Sequence, residues 1–328
     1  MERPRAIGWV AHPHILRGEA FSSWLARYAW ANGLSPHCFT RTAFGEVAIW
    51  TRDIDRTVDA ATLVKAGQLP GISPRRLGSS IMRVYQGRVF APESAGAAFI
   101  PWITPLGVYH RTRRRHGSAY CPDCLREFGC MRLDWRLAWM VHCPRHERPL
   151  LDACPECDAP FVFHRMFLAD RGRYPCIACG SNLGRAPAGP VVAMTARHLQ
   201  RALTCCAAGH PRRIGTKEVS ALEFTAGVRV LLRGLYANGS LEGLASGLHS
   251  ARRAYLGRPQ APARTSFEHW RIHDRAVAIA YLFEVLRCWP ETFLRSFRTA
   301  RVCPSRLGSE RAPAWIVEAL SSLSQAQR

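Results

Sequence analysis

The sequence predicts a mainly α-helical protein whose chain is interrupted in the middle by a cysteine-rich block. Apolar residues recur at helical spacing on both sides of this block, and one set of four metal-type ligands occurs twice within it. The chain has 328 residues, which suits two or three domains, and 48% hydrophobic residues suffice for ordinary cores. We expect a helical domain over residues 1–117, a tandem finger module over residues 118–190 and a basic helical domain over residues 191–328.

Near the N-terminus, the pattern indicates two short helices joined by a tight turn. The apolar face of the first helix is formed by Phe21, Trp24, Leu25 and Tyr28. Asn32-Gly33 predicts its end, and Ser35-Pro36 predicts the cap and first turn of the next helix. Such a pair is typical of a helix-turn-helix that reads DNA, although an ordinary helical hairpin in a core has the same pattern.

A second helix pair is predicted in the C-terminal domain. The face of its first helix is formed by Val228, Leu231, Leu232 and Leu235. A break at Asn238-Gly239 and a cap at Ser240 predict a second helix through about Leu256, again as a helix-turn-helix or as a plain hairpin. A long helix is then expected from about Phe267 to Trp289, where Pro290 ends it.

The cysteine-rich block repeats one spacing. In each of two sets, a C-P-x-C motif is followed after 18 residues by a second pair of ligands, and the second set lies 33 residues after the first. The ligand unit is therefore duplicated. The two sets are Cys121, Cys124, Cys143 and His146, and then Cys154, Cys157, Cys176 and Cys179.

Sets of three or four thiolates, completed by an imidazole where needed, are usual for structural zinc. The histidine of the first set favours zinc over an iron–sulfur cluster there. We expect two zinc ions, each with four protein ligands and no open position for a catalytic water, in small zinc-ribbon or zinc-finger elements. His142 is an alternative fourth ligand of the first set, and Cys205 and Cys206 with His210 are an alternative third site.

The formal net charge of +21 lies mainly outside the cysteine-rich block. Residues 61–120 hold nine basic and one acidic side chain, and residues 191–328 hold 20 and nine. Such a surplus favours a polyanion as partner, because each neutralised phosphate releases counterions. A solvated basic surface or an arginine-rich genome would give the same numbers. The predicted DNA-contacting residues are Arg111, Arg113, Arg114, Arg115, Arg212, Arg213, Arg252 and Arg253.

Several classes of protein are disfavoured. No apolar run reaches the roughly 18 residues of a membrane span, and no secretion signal is evident, so we expect a cytoplasmic protein. Motifs of nucleotide hydrolysis, serine hydrolysis and zinc proteolysis are absent. The densest acidic group, Asp53, Asp55 and Asp59, is interpreted as a solvated helix face rather than as a nuclease's metal ligands. We expect no enzyme, and a zinc-dependent nuclease is the enzymatic alternative.

Two runs of residues resemble the TniQ/TnsD family of transposon target-selection proteins. The first is the Ser-Trp-Leu-x-Arg run at residues 23–27, with Pro13, Glu19 and Asn32-Gly33 around it. The second runs from Tyr120 through the ligand motifs to Cys157 and includes Arg-Leu-Asp-Trp-Arg at residues 132–136. The resemblance spans about residues 13–180, and all eight predicted zinc ligands match the family's zinc region.

This resemblance implies a non-catalytic adaptor in transposition. Proteins of the family recognise a target site or are delivered to it, and they recruit an AAA+ regulator that brings the transposase. Some read DNA, whereas others dock on an RNA-guided CRISPR effector, often as a dimer. The expected partners are therefore DNA, the AAA+ regulator, such an effector and a second copy of the chain. Alternatives are an adaptor that reads no DNA sequence and a zinc-finger DNA-binding regulator.

Overall fold

The computed structural model describes residues 8–45, 49–94, 97–109, 112–113, 115–166, 172–236, 265–300 and 312–325. The chain is mainly helical, as predicted, and forms two compact units. The first unit comprises Met1–Val84, Pro105–Arg136 and Asp152–Pro187, and the second comprises Tyr85–Thr104, Leu137–Leu151 and Ala188–Arg328. The division into domains over residues 1–117, 118–190 and 191–328 stays a prediction. In the described part of the chain, no helix has the length and apolar run that a bilayer crossing needs.

The first unit is built from short helices. They are α1 (Phe21–Ala31), α2 (Pro36–Phe44), α3 (Ile54–Thr57), α4 (Ala60–Gly67), α5 (Pro74–Gly78) and α6 (Pro122–Phe128). A two-residue antiparallel hairpin pairs β1 (Val108–Tyr109) with β2 (Thr112–Arg113). α1 packs against α2 and α3, and α2 also packs against α4.

The predicted N-terminal helix pair is present. The apolar face of α1 is completely buried, namely Phe21, Trp24, Leu25 and Tyr28. The Ser35 hydroxyl accepts a hydrogen bond from the Cys38 backbone N–H at 3.2 Å, and Pro36 is the first helical residue. Gly33 adopts a φ of +69° in the turn, which glycine allows without strain. The helix boundaries are thus confirmed, while DNA reading by α2 stays a prediction.

The second unit contains two hairpins and longer helices. Its elements are β3 (His142–Cys143), β4 (Arg148–Pro149), α7 (Met194–Ala207), β5 (Arg212–Ile214), β6 (Lys217–Val219), α8 (Ala221–Tyr236), α9 (Ile272–Leu286), α10 (Glu291–Ala300) and α11 (Ala314–Gln325). Both hairpins are antiparallel. α7 packs against α9 and α8, and α9 also packs against α8 and α10.

Two predictions for the second unit have different outcomes. Val228, Leu231 and Leu232 of the predicted face are buried on α8, whereas the break at residues 238–239 and the helix through residue 256 lie outside the described residues. The long helix expected from Phe267 to Trp289 is wrong at both ends, because a separate 3₁₀ turn covers Phe267–His269 and α9 runs from Ile272 to Leu286.

A buried carboxylate, Glu268, explains the separate turn. Glu268 accepts a hydrogen bond from the Trp102 backbone N–H at 2.8 Å and pairs with Arg229 at 3.0 Å. Because these partners are distant in sequence, local periodicity does not reveal them. Because the Glu268 side chain binds Trp102 and Arg229, the segment around Glu268 stays separate from α9.

Another buried carboxylate, Glu19, anchors the Ser-Trp-Leu-x-Arg run. Arg27 Nε donates to Glu19 Oε1 at 2.7 Å, and the Ser23 hydroxyl donates to the same oxygen at 2.8 Å. The Ser23 oxygen in turn accepts a hydrogen bond from the Met131 backbone N–H at 2.9 Å. The polar residues of this run therefore stabilise the first unit by tying α1 to a segment more than 100 residues away.

The acidic group at residues 53–59 is not one solvated face, and that interpretation is wrong for two of its three members. Arg136 Nη2 donates to Asp53 Oδ2 at 2.6 Å, and Nη1 lies 3.8 Å from Asp55 Oδ2. Arg136 is 0% exposed and Asp55 is 2% exposed. Burial and the neighbouring Asp53 raise the pKa of Asp55 to about 6, with Arg136 opposing the rise. Only Asp59 is exposed, where it caps α4.

Candidate metal centres

The ligands of the first predicted set converge. The ligand atoms of Cys121, Cys124, Cys143 and His146 all lie within 4.8 Å of one another. Cys121 precedes α6 and Cys124 lies in its first turn, while Cys143 ends β3. Cys143 Sγ lies 3.7 Å from His146 Nδ1. A thiolate and an imidazole on one tetrahedral zinc would be about 3.6 Å apart, so these residues fit zinc.

His142, the alternative fourth ligand, lies outside this cluster. Its backbone N–H donates to Gln200 Oε1 at 3.0 Å, and its carbonyl accepts from Gln200 Nε2 at 2.7 Å. Burial lowers the pKa of its imidazole. The histidine ligand is therefore His146. Within the described residues, the alternative third site at residues 205–210 does not form a cluster.

The second predicted set also converges. The sulfur atoms of Cys154, Cys157, Cys176 and Cys179 lie within 4.8 Å of one another. The Sγ–Sγ distance is 3.7 Å from Cys154 to Cys179 and 3.6 Å from Cys157 to Cys176. Two thiolates on one tetrahedral zinc would be about 3.8 Å apart, whereas a disulfide bond measures about 2.05 Å. The expectation of two metal ions is confirmed, and both donor sets fit zinc.

A shared backbone turn places the sulfurs of the second centre. The N–H groups of Asp158 and Gly180 donate to the carbonyls of Cys154 and Cys176, each at 2.9 Å. The turn residues have positive φ, +56° for Asp158 and +76° for Gly180. Glycine and aspartate accept this left-handed conformation more readily than other residues, so the sequence favours the turn at both places.

The first pair of the first centre keeps this hydrogen bond but lacks the residue with positive φ. Leu125 stands where Asp158 stands in the repeat, and it continues into helix α6 by donating its N–H to the Cys121 carbonyl at 3.0 Å. Leucine rarely adopts positive φ, and Leu125 is 0% exposed. The 33-residue repeat is therefore a repeat of ligands, while the backbone differs at Leu125 and Asp158, which occupy equivalent positions.

Ser181, which no sequence motif marks, lies against two sulfur atoms of the second centre. Its hydroxyl oxygen lies 3.1 Å from Cys154 Sγ and 3.2 Å from Cys179 Sγ. Hydrogen bonds from the hydroxyl and the backbone N–H of Ser181 lower the pKa of the Cys179 thiol to about 6. The thiolate is the form that binds zinc. The available signal was a hydroxyl residue two positions after a ligand cysteine.

We expect the two zinc ions to leave at different rates, because the centres differ in exposure. Cys121, Cys124 and Cys143 are at most 1% exposed, whereas Cys157 and Cys179 are exposed. A chelator should remove the second centre's ion faster by a factor on the order of ten or more, since even about 1.4 kcal/mol of local opening slows access tenfold. Zinc release followed with a metal-sensitive dye would show two phases, and Cys157→Ser should remove the fast one. A single phase for both ions would contradict this prediction.

The structure describes only part of the predicted DNA-contacting set. Arg111, Arg114, Arg252 and Arg253 lie outside the described residues. Arg113 belongs to β2, and Arg115 beyond it is exposed. Arg212 and Arg213 lie on β5, where Arg213 is exposed and Arg212 is half-buried. Their contact with DNA stays a prediction.

The fold and the two centres define a class of protein: a mainly helical chain with two clusters of four protein ligands, each of which fits a structural zinc ion. The family model TniQ matches residues 10–150. These residues form a TniQ domain, so the predicted resemblance to the TniQ family is confirmed. No curated protein matches the chain.

The residues matched by the family model contain the first metal centre but not the second. It includes the Ser-Trp-Leu-x-Arg run and all four ligands of the first centre, and it stops before Cys154. The predicted resemblance extended to residue 180, so the second centre lies beyond the matched part.

Proposed function

We propose that this protein is a non-catalytic adaptor that selects target sites in DNA transposition. The TniQ domain over residues 10–150 carries this proposal. In the proposed pathway, the protein engages a target in the cytoplasm and recruits an AAA+ regulator, which then brings the transposase. DNA contact by the basic parts of the chain belongs to the same proposal, because 191–328 holds 20 basic and nine acidic side chains.

The metal centres support a scaffold role within this proposal. Cys121, Cys124, Cys143 and His146 would hold one zinc ion, and Cys154, Cys157, Cys176 and Cys179 would hold the other. With four protein ligands each, the ions supply folding energy rather than a reactive water. The densest acidic group of the sequence is also occupied, because Arg136 pairs with Asp53 and lies close to Asp55. These carboxylates are therefore not free to hold the paired metal ions of a nuclease.

An insertion assay tests the proposal. We expect that removing this protein from a reaction with donor DNA, transposase and AAA+ regulator abolishes insertion at the normal target, as mapped by sequencing the insertion sites. Adding the zinc-loaded chain should restore those sites. Insertion at the same sites without the protein would refute target selection.

A binding assay separates the two modes of targeting. A chain that binds free duplex DNA in a salt-dependent way supports direct DNA contact. A chain that binds an RNA-guided effector and no free duplex supports the alternative, an adaptor that docks on that complex. Light scattering on the same sample tests whether the adaptor is a homodimer.

A further inference from the structure

The outward face of α7 is basic and contains no carboxylate. Its sequence from Met194 to Ala207 has no acidic residue, and its inner face packs against α9 and α8. The outward positions, spaced as one helical stripe, are Met194, His198, Arg201, Cys205 and Ala208. Beyond the helix end, His210 and Arg213 are also exposed.

Arg88 reaches the end of α7 from a separate segment. A Cβ atom built on Gly209 would lie 3.5 Å from Arg88 Nε and 3.7 Å from its Cζ, so the guanidinium lies over the turn after the helix. The Thr225 hydroxyl of α8 lies 3.4 Å from the Arg88 carbonyl and 3.3 Å from the Val89 carbonyl, so this segment runs beside α8. Arg201 lies about 9 Å along the helix axis from Ala207, where α7 ends. Two segments of the second unit thus supply positive charge to one surface.

The cations of this surface differ from others in the second unit. Arg197 pairs with Glu147 at 3.3 Å, and Lys217 pairs with Glu318. Arg88, Arg201 and Arg213, in contrast, form no ion pair with any described residue. Their charge is therefore available to a partner, although Glu218 lies opposite Arg213 in the hairpin register.

We infer that Arg88, Arg201, His210 and Arg213, here called the α7 surface, contact the phosphate backbone of target DNA. The inference rests on the proposed function, which brings the protein to DNA. A guanidinium suits a phosphate because its planar fork donates two parallel hydrogen bonds. Between the basic groups the surface carries only short side chains at Cys205, Ala208 and Gly209, which leaves room for a backbone to approach. Such contacts position a protein on DNA without reading its sequence.

A structural role for the same charges makes a different prediction. Arg88 and His210 lie at the C-terminal end of α7, where the helix dipole favours positive charge, and Arg213 follows on β5. If that were their whole role, removing the charges would lower thermal stability and leave DNA affinity per folded molecule unchanged. Both quantities are therefore measured on the same variants.

The test uses the full zinc-loaded chain and a mixed-sequence duplex of about 30 base pairs, with affinity measured by fluorescence anisotropy between about 50 and 200 mM salt. Combining Arg88→Ala, Arg201→Ala and Arg213→Ala should reduce the slope of log affinity against log salt by about 2.7, at about 0.9 per lost phosphate contact. The matched control combines Arg197→Ala and Lys217→Ala, which remove paired cations of the same unit and should change the slope little. The corresponding Arg→Lys triple variant keeps the charges and should retain most of the slope.

Each other outcome overturns the inference. If the alanine triple variant is folded and keeps the wild-type slope, the α7 surface does not contact DNA, and the proposed function stands. A lower melting temperature with an unchanged slope assigns the charges to the helix dipole. If the alanine triple variant loses binding to polyglutamate but keeps its DNA affinity, the α7 surface binds an acidic protein instead of DNA. If the wild-type chain binds no duplex at low salt, the α7 surface and the DNA-contact part of the proposed function both fail.

Discussion

Cys154→Ser should reduce the zinc content from two ions per chain to one and unfold the segment around the second centre. The variant loses one of four thiolate ligands. The segment has little regular structure to replace the ion, since its described residues form 3₁₀ turns at Phe163–Arg165 and Leu183–Arg185 and isolated bridges. Structural zinc binding is worth about 10–16 kcal/mol in zinc-finger peptides, far more than such turns supply. Elemental analysis and limited proteolysis measure the two effects.

The loss should spread from the second centre into the helical core of the first unit. The Phe163 ring packs edge-on against Trp30 of α1 at a centroid distance of 5.0 Å. The Tyr120 hydroxyl donates to the Ala153 carbonyl at 3.1 Å, and its ring stacks on Phe161 at 4.6 Å. These contacts depend on the position of the segment, so we expect a lower melting temperature in addition to faster cleavage.

Cys130→Ser is the matched control for this prediction. Cys130 is a buried cysteine that belongs to neither ligand cluster, and burial raises the pKa of its thiol to about 12. This variant should keep two zinc ions and the wild-type cleavage pattern. A Cys154→Ser protein with two zinc ions and unchanged cleavage would show that Cys154 is not a ligand.

The features that the sequence predicts well depend on signals within a few residues. The cap at Ser35, the turn at Gly33 and the buried face of α1 follow from rules of helix geometry that need no distant partner. The eight ligands follow from a spacing that is present twice. Even the exception at Leu125 has a local cause, since leucine disfavours the turn that Asp158 and Gly180 adopt.

The features that the sequence does not predict depend on distant partners. Asp53 is interpreted as solvated because its partner, Arg136, lies 83 residues away. The same applies to charge, since Arg136 and Arg275 count toward +21 yet are 0% exposed. Arg275 Nη1 donates to the Ala138 carbonyl at 2.7 Å, inside the second unit. A formal charge therefore overstates the surface available to a polyanion, and only a structure shows which arginines remain free.

The buried group around Arg136 gives the second large expected effect. Arg136→Met should destabilise the protein by about 3–5 kcal/mol, because it leaves buried carboxylates without their cation. Arg132→Met is the matched control: Arg132 pairs with Asp134 at 2.8 Å but is 38% exposed, so its loss should cost about 1 kcal/mol or less. Chemical denaturation of both variants measures the difference. Equal stabilities would show that the buried pairing contributes no more than the exposed one.

The cause can be isolated by removing the carboxylates as well. Adding Asp53→Asn and Asp55→Asn to Arg136→Met should recover part of the lost stability, because no uncompensated buried charge then remains.

The pH dependence of stability should lead to the same conclusion. Asp55 already has a folded-state pKa of about 6, and losing the opposing Arg136 should raise it further. A carboxyl group with a raised folded-state pKa favours the folded protein while it is protonated, and this favourable contribution is lost as pH rises through that pKa. We therefore expect Arg136→Met to be less destabilising at about pH 5 than at about pH 8. A pH-independent difference from wild type would mean that lost packing, rather than unpaired charge, causes the instability.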